Sequence, residues 1–258
     1  MKKVNAFGAI FLMAIVLFTS CLGDGSNTQS ATTVGVVRYD YKSGKYLLDT
    51  YGWGVFYSSA LNSTTEGACY YFNFELDYDL ADNNSSVVNT TGYYTISIGT
   101  KYEVARYSMS PVLLDTTTLL TNEIPLVNPL ASVDGYVKGI FFLQHTYKQP
   151  EDQKYAWSLS YDTQNAVIEE SGKRIYDVFI RAAISGSAGT KTATEGGVAN
   201  AYNMKSFFES AAYVEKNQTD KVVNVRFNYV SDITDGKIVW KKSDIISVYT
   251  DLILAEDN

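Results

Sequence analysis

Most of the chain alternates apolar and polar residues with a period of two, the pattern of strands that bury one face. Val34–Tyr41 is rich in β-branched and aromatic residues, Ser43-Gly44 supplies a turn into Tyr46–Thr50, and Gly52 breaks the chain again before Trp53–Tyr57. Over Tyr70–Tyr78 the positions Tyr70, Phe72, Phe74, Leu76 and Tyr78 are apolar, while Asn73, Glu75 and Asp77 fall between them. A sheet with one face in a core and the other in water has this signature. Tyr93–Ile98 and Tyr102–Tyr107 follow on either side of Gly99.

The texture changes between Ser108 and Ser132, which holds three of the four prolines, Pro111, Pro125 and Pro129. Proline has no N–H for a ladder, so this stretch is no central strand and marks a domain boundary. Its leucines predict that it packs on a neighbour. Strands resume at Tyr136–Tyr147, apolar on both faces near Ile140-Phe141-Phe142, then at Tyr155–Tyr161, Tyr176–Ile184 and Val223–Tyr229. Asp235-Gly236 suggests a hairpin turn into Lys237–Trp240, and Ile245–Tyr249 closes the series. Ser185–Gly197, rich in Gly, Ala, Ser and Thr, reads as a long mobile loop. One short helix is expected, with Met204, Phe207, Phe208 and Ala211 at helical spacing after Asn203, a candidate cap. The fold class is therefore all-β with two domains, and no repeat of solenoid length is present.

The first twenty residues lie outside this pattern. Lys2 and Lys3 precede an apolar run, Ala6 to Phe18, of signal-peptide length and too short for a comfortable membrane span. The run ends Leu17-Phe18-Thr19-Ser20-Cys21, which resembles the bacterial lipobox; Phe18 stands where Leu, Val or Ile is usual. That resemblance implies cleavage after residue 20, lipidation of Cys21 and attachment by more than one acyl chain, the number that stable anchoring requires. Residues 21–30 read as a flexible tether.

The layout resembles the NigD-like lipoproteins of the Bacteroidetes. The likeness rests on Phe18–Cys21, Val34-Gly-Val-Val-Arg-Tyr-Asp40, Tyr46-Leu-Leu-Asp49, Glu66-Gly-Ala-Cys-Tyr-Tyr-Phe72, Gly135-Tyr-Val-Lys-Gly139, Asn203–Phe208 and Val222–Tyr229. It implies an OB-like β-barrel over residues 31–108, a linker over 109–129 and a C-terminal β-sandwich over 130–258. It also implies a place in the cell envelope, at the outer membrane, and no particular catalytic set. The acidic run that favours surface display in that phylum is reduced here to Asp24, so the side of the membrane stays open.

Composition narrows the chemistry. With one histidine and two cysteines among 258 residues, a multi-histidine metal site, a disulfide framework and an iron–sulfur cluster are all excluded. The net charge of −7 becomes more negative once Lys2 and Lys3 are removed, and opposes nucleic-acid binding. The cations of the first domain, Arg38, Lys42, Lys45, Lys101 and Arg106, are outnumbered by acidic residues, unlike the basic grooves that track single strands. No nucleic acid, metal or cofactor is expected.

The remaining candidates each carry a plain structural alternative. Glu75 and Asp77 share a strand face about 7 Å apart, a spacing that glycosidase carboxylates can have. Such pairs usually come from separate elements across a cleft, so the wet face of a strand is the favoured reading. Asp77, Asp79, Asp82, Asn83 and Asn84 make an oxygen-rich loop, but Ala81 and Asp82 break the EF-hand spacing. His145 lies in an apolar row with Phe141 and Leu143 and reads as a packed residue; Cys69 reads as a small buried one. The aromatics Trp53, Tyr57 and Trp157 are candidates for stacking on a ligand, although core filling accounts for most such residues. Asp115-Thr116-Thr117 matches the short pattern on which exported Bacteroidetes proteins are O-glycosylated, with Thr116 as acceptor. The expected function is a non-catalytic binding or structural module of the envelope, with a glycan or an envelope protein as partner. The alternatives are a carbohydrate-binding accessory protein of a glycan-uptake system and a glycan hydrolase using Glu75 and Asp77.

Overall fold

The computed structural model describes residues 27–255 except positions 128, 151, 165, 166 and 188. The stretch expected as a signal peptide and the expected lipidation site Cys21 lie outside the described residues. The described chain divides into two compact units that meet between Ala105 and Arg106. Among the described residues no helix is long and apolar enough to cross a membrane.

The first unit contains β1 (Thr28–Asp40), β2 (Lys45–Thr50), β3 (Val55–Tyr57), β4 (Cys69–Asp77), α1 (Ser85–Thr91), β5 (Tyr94–Thr95) and most of β6 (Ser97–Ser110). β1 pairs antiparallel with β2 on one edge and with β4 on the other. β2 pairs with β3, and β3 runs parallel to β5. After Ile96 the same stretch of chain continues as β6 and pairs with β4. The ring β1-β2-β3-β5/β6-β4 returns to β1, which closes a five-stranded barrel of OB type. Closure removes the free edges that an open sheet of this size would present. Val37, Leu48, Phe56, Leu61, Phe72, Phe74, Leu76 and Ile96 fill its core. In β4 the apolar positions Phe72, Phe74 and Leu76 are buried while Asn73 and Glu75 are exposed, as the alternation predicts.

The second unit is a two-layer sandwich. One layer contains β7 (Tyr136–Val137), β8 (Ile140–Gln149) and β12 (Thr194–Asn203). The other is built from β9 (Lys154–Tyr161), β10 (Val167–Glu170), β11 (Lys173–Ser185), β13 (Val222–Thr234) and β14 (Lys237–Tyr249). Here β13 is parallel to β11 and antiparallel to β14, while β9 and β10 share the other edge of β11. The layers meet through contacts such as Phe141 on Phe227, with ring centroids 5.2 Å apart. Helix α2 (Lys205–Glu215) closes one end with Phe207, Phe208, Ala211 and Ala212 buried, and the short α3 (Thr250–Leu254) packs beside it. The N-cap of α2 is Met204, which makes no side-chain cap bond; Asn203, the candidate cap, stands one residue earlier, and its Oδ1 accepts the Lys205 N–H at 3.2 Å. At the far end of α2, the buried Glu215 accepts from Arg174 Nε at 3.1 Å and from the Tyr176 hydroxyl at 2.6 Å.

Four expectations change. The tether expected over 21–30 is shorter, because β1 starts at Thr28 and Thr28–Ser30 pair with Asp77–Glu75. Those residues alternate in exposure but are polar or small, so no apolar period announced them. The loop expected over 185–197 contains the start of β12: Thr194–Asn203, glycines and alanines included, form ten consecutive pairs with β8, and backbone pairing, not side-chain pattern, makes the strand. The segment 109–129, expected as a linker, belongs to the second unit. Ile124 and Leu126 are in that unit's core, and their N–H groups donate to Ala182 O and Val230 O at 2.9 and 2.7 Å. Finally, α1 and α3 join the one helix expected. α1 is an exposed turn-like helix capped by Asn84, whose side chain accepts from Val87 N at 3.0 Å, and it buries no residue that a periodicity could reveal.

Candidate functional site

An open groove of about 490 Å³ lies on the outer face of the barrel where β1, β4 and β6 run side by side. Its origin is a register shift. Between the pairs Phe72↔Lys101 and Phe74↔Ile98, β6 contributes Gly99 and Thr100 against Asn73 alone. Such a bulge bends the strand locally and re-aims the neighbouring side chains. The Asn73 side-chain oxygen, Oδ1, accepts the Thr100 N–H released by the bulge. A Cβ on Gly99 would stand 2.7 Å from that oxygen, so the bare glycine makes room for the amide. Rows of facing residues then define the surface: Ser30, Glu75 and Ser97 in one, Thr32 and Asn73 in the next, and Val34, Tyr71 and Tyr102 beyond. All the polar members are exposed, and Tyr102 is 46% exposed.

Glu75 is thus a groove residue, but it is the one carboxylate among the described residues that line the groove. Asp77 continues the same strand and accepts the Asp79 N–H at 2.9 Å. The oxygen-rich loop is committed to structure. Asn83, buried, donates to Asp77 O and Thr95 O at 2.7 and 2.8 Å and accepts from Thr95 N at 2.7 Å. Among the described residues no group of three or more His, Cys, Asp and Glu side chains could hold a metal ion.

The aromatics singled out in the sequence are largely engaged. Trp53 is half-buried with its ring edge-on to Phe74 at 5.2 Å. Tyr57 carries the Lys45 ammonium 4.2 Å from its ring centre, and the same ammonium donates to the Tyr93 hydroxyl at 2.7 Å. Trp157, in the second unit, stacks on His145 with centroids 4.5 Å apart. His145 is fully buried, and its Nε2 lies 3.0 Å from the Tyr202 hydroxyl. Burial pushes the imidazole down to about 3, so it is neutral at physiological pH, a packed core residue. Cys69 is buried in the first unit, apart from His145 in sequence unit and in role.

Thr116 is half-exposed on a loop clamped to β11 and β14. Its carbonyl accepts the Trp240 indole N–H at 3.0 Å. Beside it, Asp115 accepts from Thr117 N at 2.8 Å, and hydrogen bonds from the Thr117 and Thr118 hydroxyls lower its pKa. The residues that sequence reasoning missed are Asn73, Thr32, Gly99 and Tyr102. Their only signals were the polar odd positions of β4 and a glycine inside a strand pattern, which marks bulges.

Residues 25–102 match the family described as the lipoprotein OB domain. No curated protein matches the chain in sequence. An uncharacterized protein from Parabacteroides merdae shares the fold with a TM-score of 0.74 at 21% identity, over 85% of this chain and 99% of that one. A "putative lipoprotein" from Bacteroides fragilis aligns with a TM-score of 0.56 at 12% identity, covering 84% and 97%. A NigD-like immunity protein from Bacteroides caccae aligns more loosely, with a TM-score of 0.44 at 8% identity, covering 85% and 94%. The N-terminal match and the fold agree with the resemblance read from the sequence: residues 25–102 match the lipoprotein OB domain family, and the described chain is mostly β-strand, with an OB-type barrel first.

Proposed function

We propose that this protein is a non-catalytic binding module of the cell envelope, held at the outer membrane by a lipid on Cys21, with the barrel groove as its contact site. The observation that carries the reading is the start of the fold. The lipoprotein OB match begins at residue 25 and β1 at Thr28, so six residues, 22–27, separate the lipobox cysteine from the barrel, seven Cα steps in all. A chain of that length spans at most about 25 Å. The barrel is then presented close to the bilayer, and a strand-borne groove is a rigid surface for a partner.

Fractionation of the native host tests the anchor. The unaltered protein is expected in outer-membrane vesicles, and Cys21→Ser is expected in the soluble fraction. Membrane retention of Cys21→Ser refutes lipidation. Thr116 is proposed as a glycan acceptor on the exposed face of its loop. The intact mass from the native host should then exceed that of the polypeptide plus lipid, and Thr116→Ala should remove the excess.

A further inference from the structure

We infer that the groove at the β4–β6 bulge is a subsite for a neutral oligosaccharide. The inference rests on the reading of the chain as a binding module and supplies its ligand class. The groove offers one carboxylate, Glu75, an amide, Asn73, and the hydroxyls of Ser30, Thr32 and Ser97. No Lys or Arg lines it. The long cation of β6 at this level, Lys101, is engaged elsewhere, donating to Ala60 O at 2.6 Å and lying 5.1 Å from the Tyr70 ring centre. Phosphate, sulfate and uronate groups would therefore meet a carboxylate and no counter-charge, a repulsive arrangement. A neutral ligand rich in hydroxyls suits the set, because a carboxylate accepts from two hydroxyls at once and charge-assisted bonds are the stronger kind.

The second observation is the apolar end of the same face. Tyr102 and Tyr71 are direct cross-strand partners, and Tyr71 precedes Asn73 by two residues on one face of β4, about 7 Å along the strand. The exposed tyrosine offers a flat apolar surface to the C–H face of one ring, while Asn73 and Glu75 meet the hydroxyls of the next. A cation would need more carboxylates than this groove has.

The third is preorganisation. The Asn73 side chain is held by its oxygen on Thr100 N–H, which leaves its NH₂ as the donor at the groove. A side chain already fixed loses little entropy on binding. This face, made by β1, β4 and β6, differs from the face of strands two and three on which OB barrels commonly hold ligands.

The test is calorimetric titration of the full chain carrying Cys21→Ser with neutral gluco-, xylo-, manno- and galacto-hexasaccharides, and with hexagalacturonate. A neutral hexasaccharide should bind, the uronate should not, and the affinity should be unchanged between 0.1 and 1 M NaCl, roughly a threefold change in screening length. Tyr102→Ala and Asn73→Ala should each weaken binding about tenfold, the effect of one lost contact of about 1.4 kcal/mol. Gly99→Ala, which displaces the Asn73 oxygen without removing any polar group, should weaken it comparably, and thermal melts should show all three variants folded. The proposal is overturned if the uronate binds better, if neutral binding survives both Tyr102→Ala and Asn73→Ala, or if every neutral sugar is silent. Silence toward sugars together with Asn73-dependent capture of an envelope protein would overturn the ligand class and leave the binding-module reading standing.

Discussion

The Arg181 guanidinium grips the Glu123 carboxylate with two parallel bonds, Nε to Oε1 and Nη2 to Oε2, both 2.6 Å. Both side chains are only 1% exposed. The remaining guanidinium donors reach the backbone carbonyls of Asp115 and Thr118. The pair therefore ties residues 115–123 to β11 and gives every charged atom a partner, the condition under which a buried ion pair is tolerated.

Glu123→Ala leaves the arginine buried and unpaired. It should destabilise the second unit by about 3–5 kcal/mol, read as a lower denaturant midpoint. Trp240 should report the same loss through its fluorescence, because its indole N–H donates to Thr116 O on the clamped loop at 3.0 Å. A variant as stable as the parent would show that the pair contributes nothing net.

Acid should loosen the second unit through His145. Burial holds its folded pKa near 3, below the unfolded value of about 6.5. The unfolded chain therefore takes up the proton first. Stability from this group is complete above about pH 6.5 and falls as the pH drops toward 3. His145→Phe keeps a ring against Trp157 and has no titrating group. It should cost about 1 kcal/mol at pH 8 for the lost Tyr202 hydrogen bond. Between pH 6.5 and 4 its unfolding midpoint should fall less steeply than the parent's. Parallel pH curves would remove His145 from the acid response.

The β7–β8 turn should tolerate no side chain at its second residue. Lys138 and Gly139 have φ of 47° and 75°, the conformation of a tight two-residue hairpin. A Cβ on Gly139 would lie 2.7 Å from Lys205 Cα at the start of α2. Gly139→Ala combines backbone strain with a clash against backbone and should cost about 2–4 kcal/mol. Lys138→Gly relieves the positive φ and should be neutral or slightly stabilising. Thermal melts check the turn: Gly139→Ala should melt below the parent, and Lys138→Gly at or slightly above it.

Cys69 is a built-in reporter for the barrel. It is 1% exposed, so a thiol reagent should modify it only on opening of the first unit. Labelling of the Cys21→Ser chain should be slow in buffer and should accelerate with the barrel's own unfolding transition. Rapid labelling in buffer would show that β4 frays locally.

The strands that read clearly were those with large apolar residues on one face. β4 is the best case: Phe72, Phe74 and Leu76 point inward because burial of their area drives collapse, and their spacing is written into the chain. The helix α2 was legible for the same reason. β12 was not, because Gly196, Gly197, Ala199 and Ala201 carry little apolar area, and its existence depends on the unpaired edge of β8. The stretch 108–132 was half legible. Its prolines excluded a central strand, while the burial of Ile124 and Leu126 required Arg181, some sixty residues away, to hold the loop.

The groove shows the same division. Asn73 and Glu75 were visible as the wet side of β4, and a lone glycine stood at position 99. Period-two alternation and the lipobox spacing are local properties, so the sequence by itself determined an all-β chain, a lipoprotein-like start and a first domain richer in acidic than in basic residues. Which side chains share a surface is not local. The pairing of Thr32 with Asn73, the two-against-one bulge at Gly99 and Thr100, and the arrival of Tyr102 beside Tyr71 join residues up to seventy positions apart. Only closure of the barrel, where each backbone edge must find a partner, decided that these residues form one face.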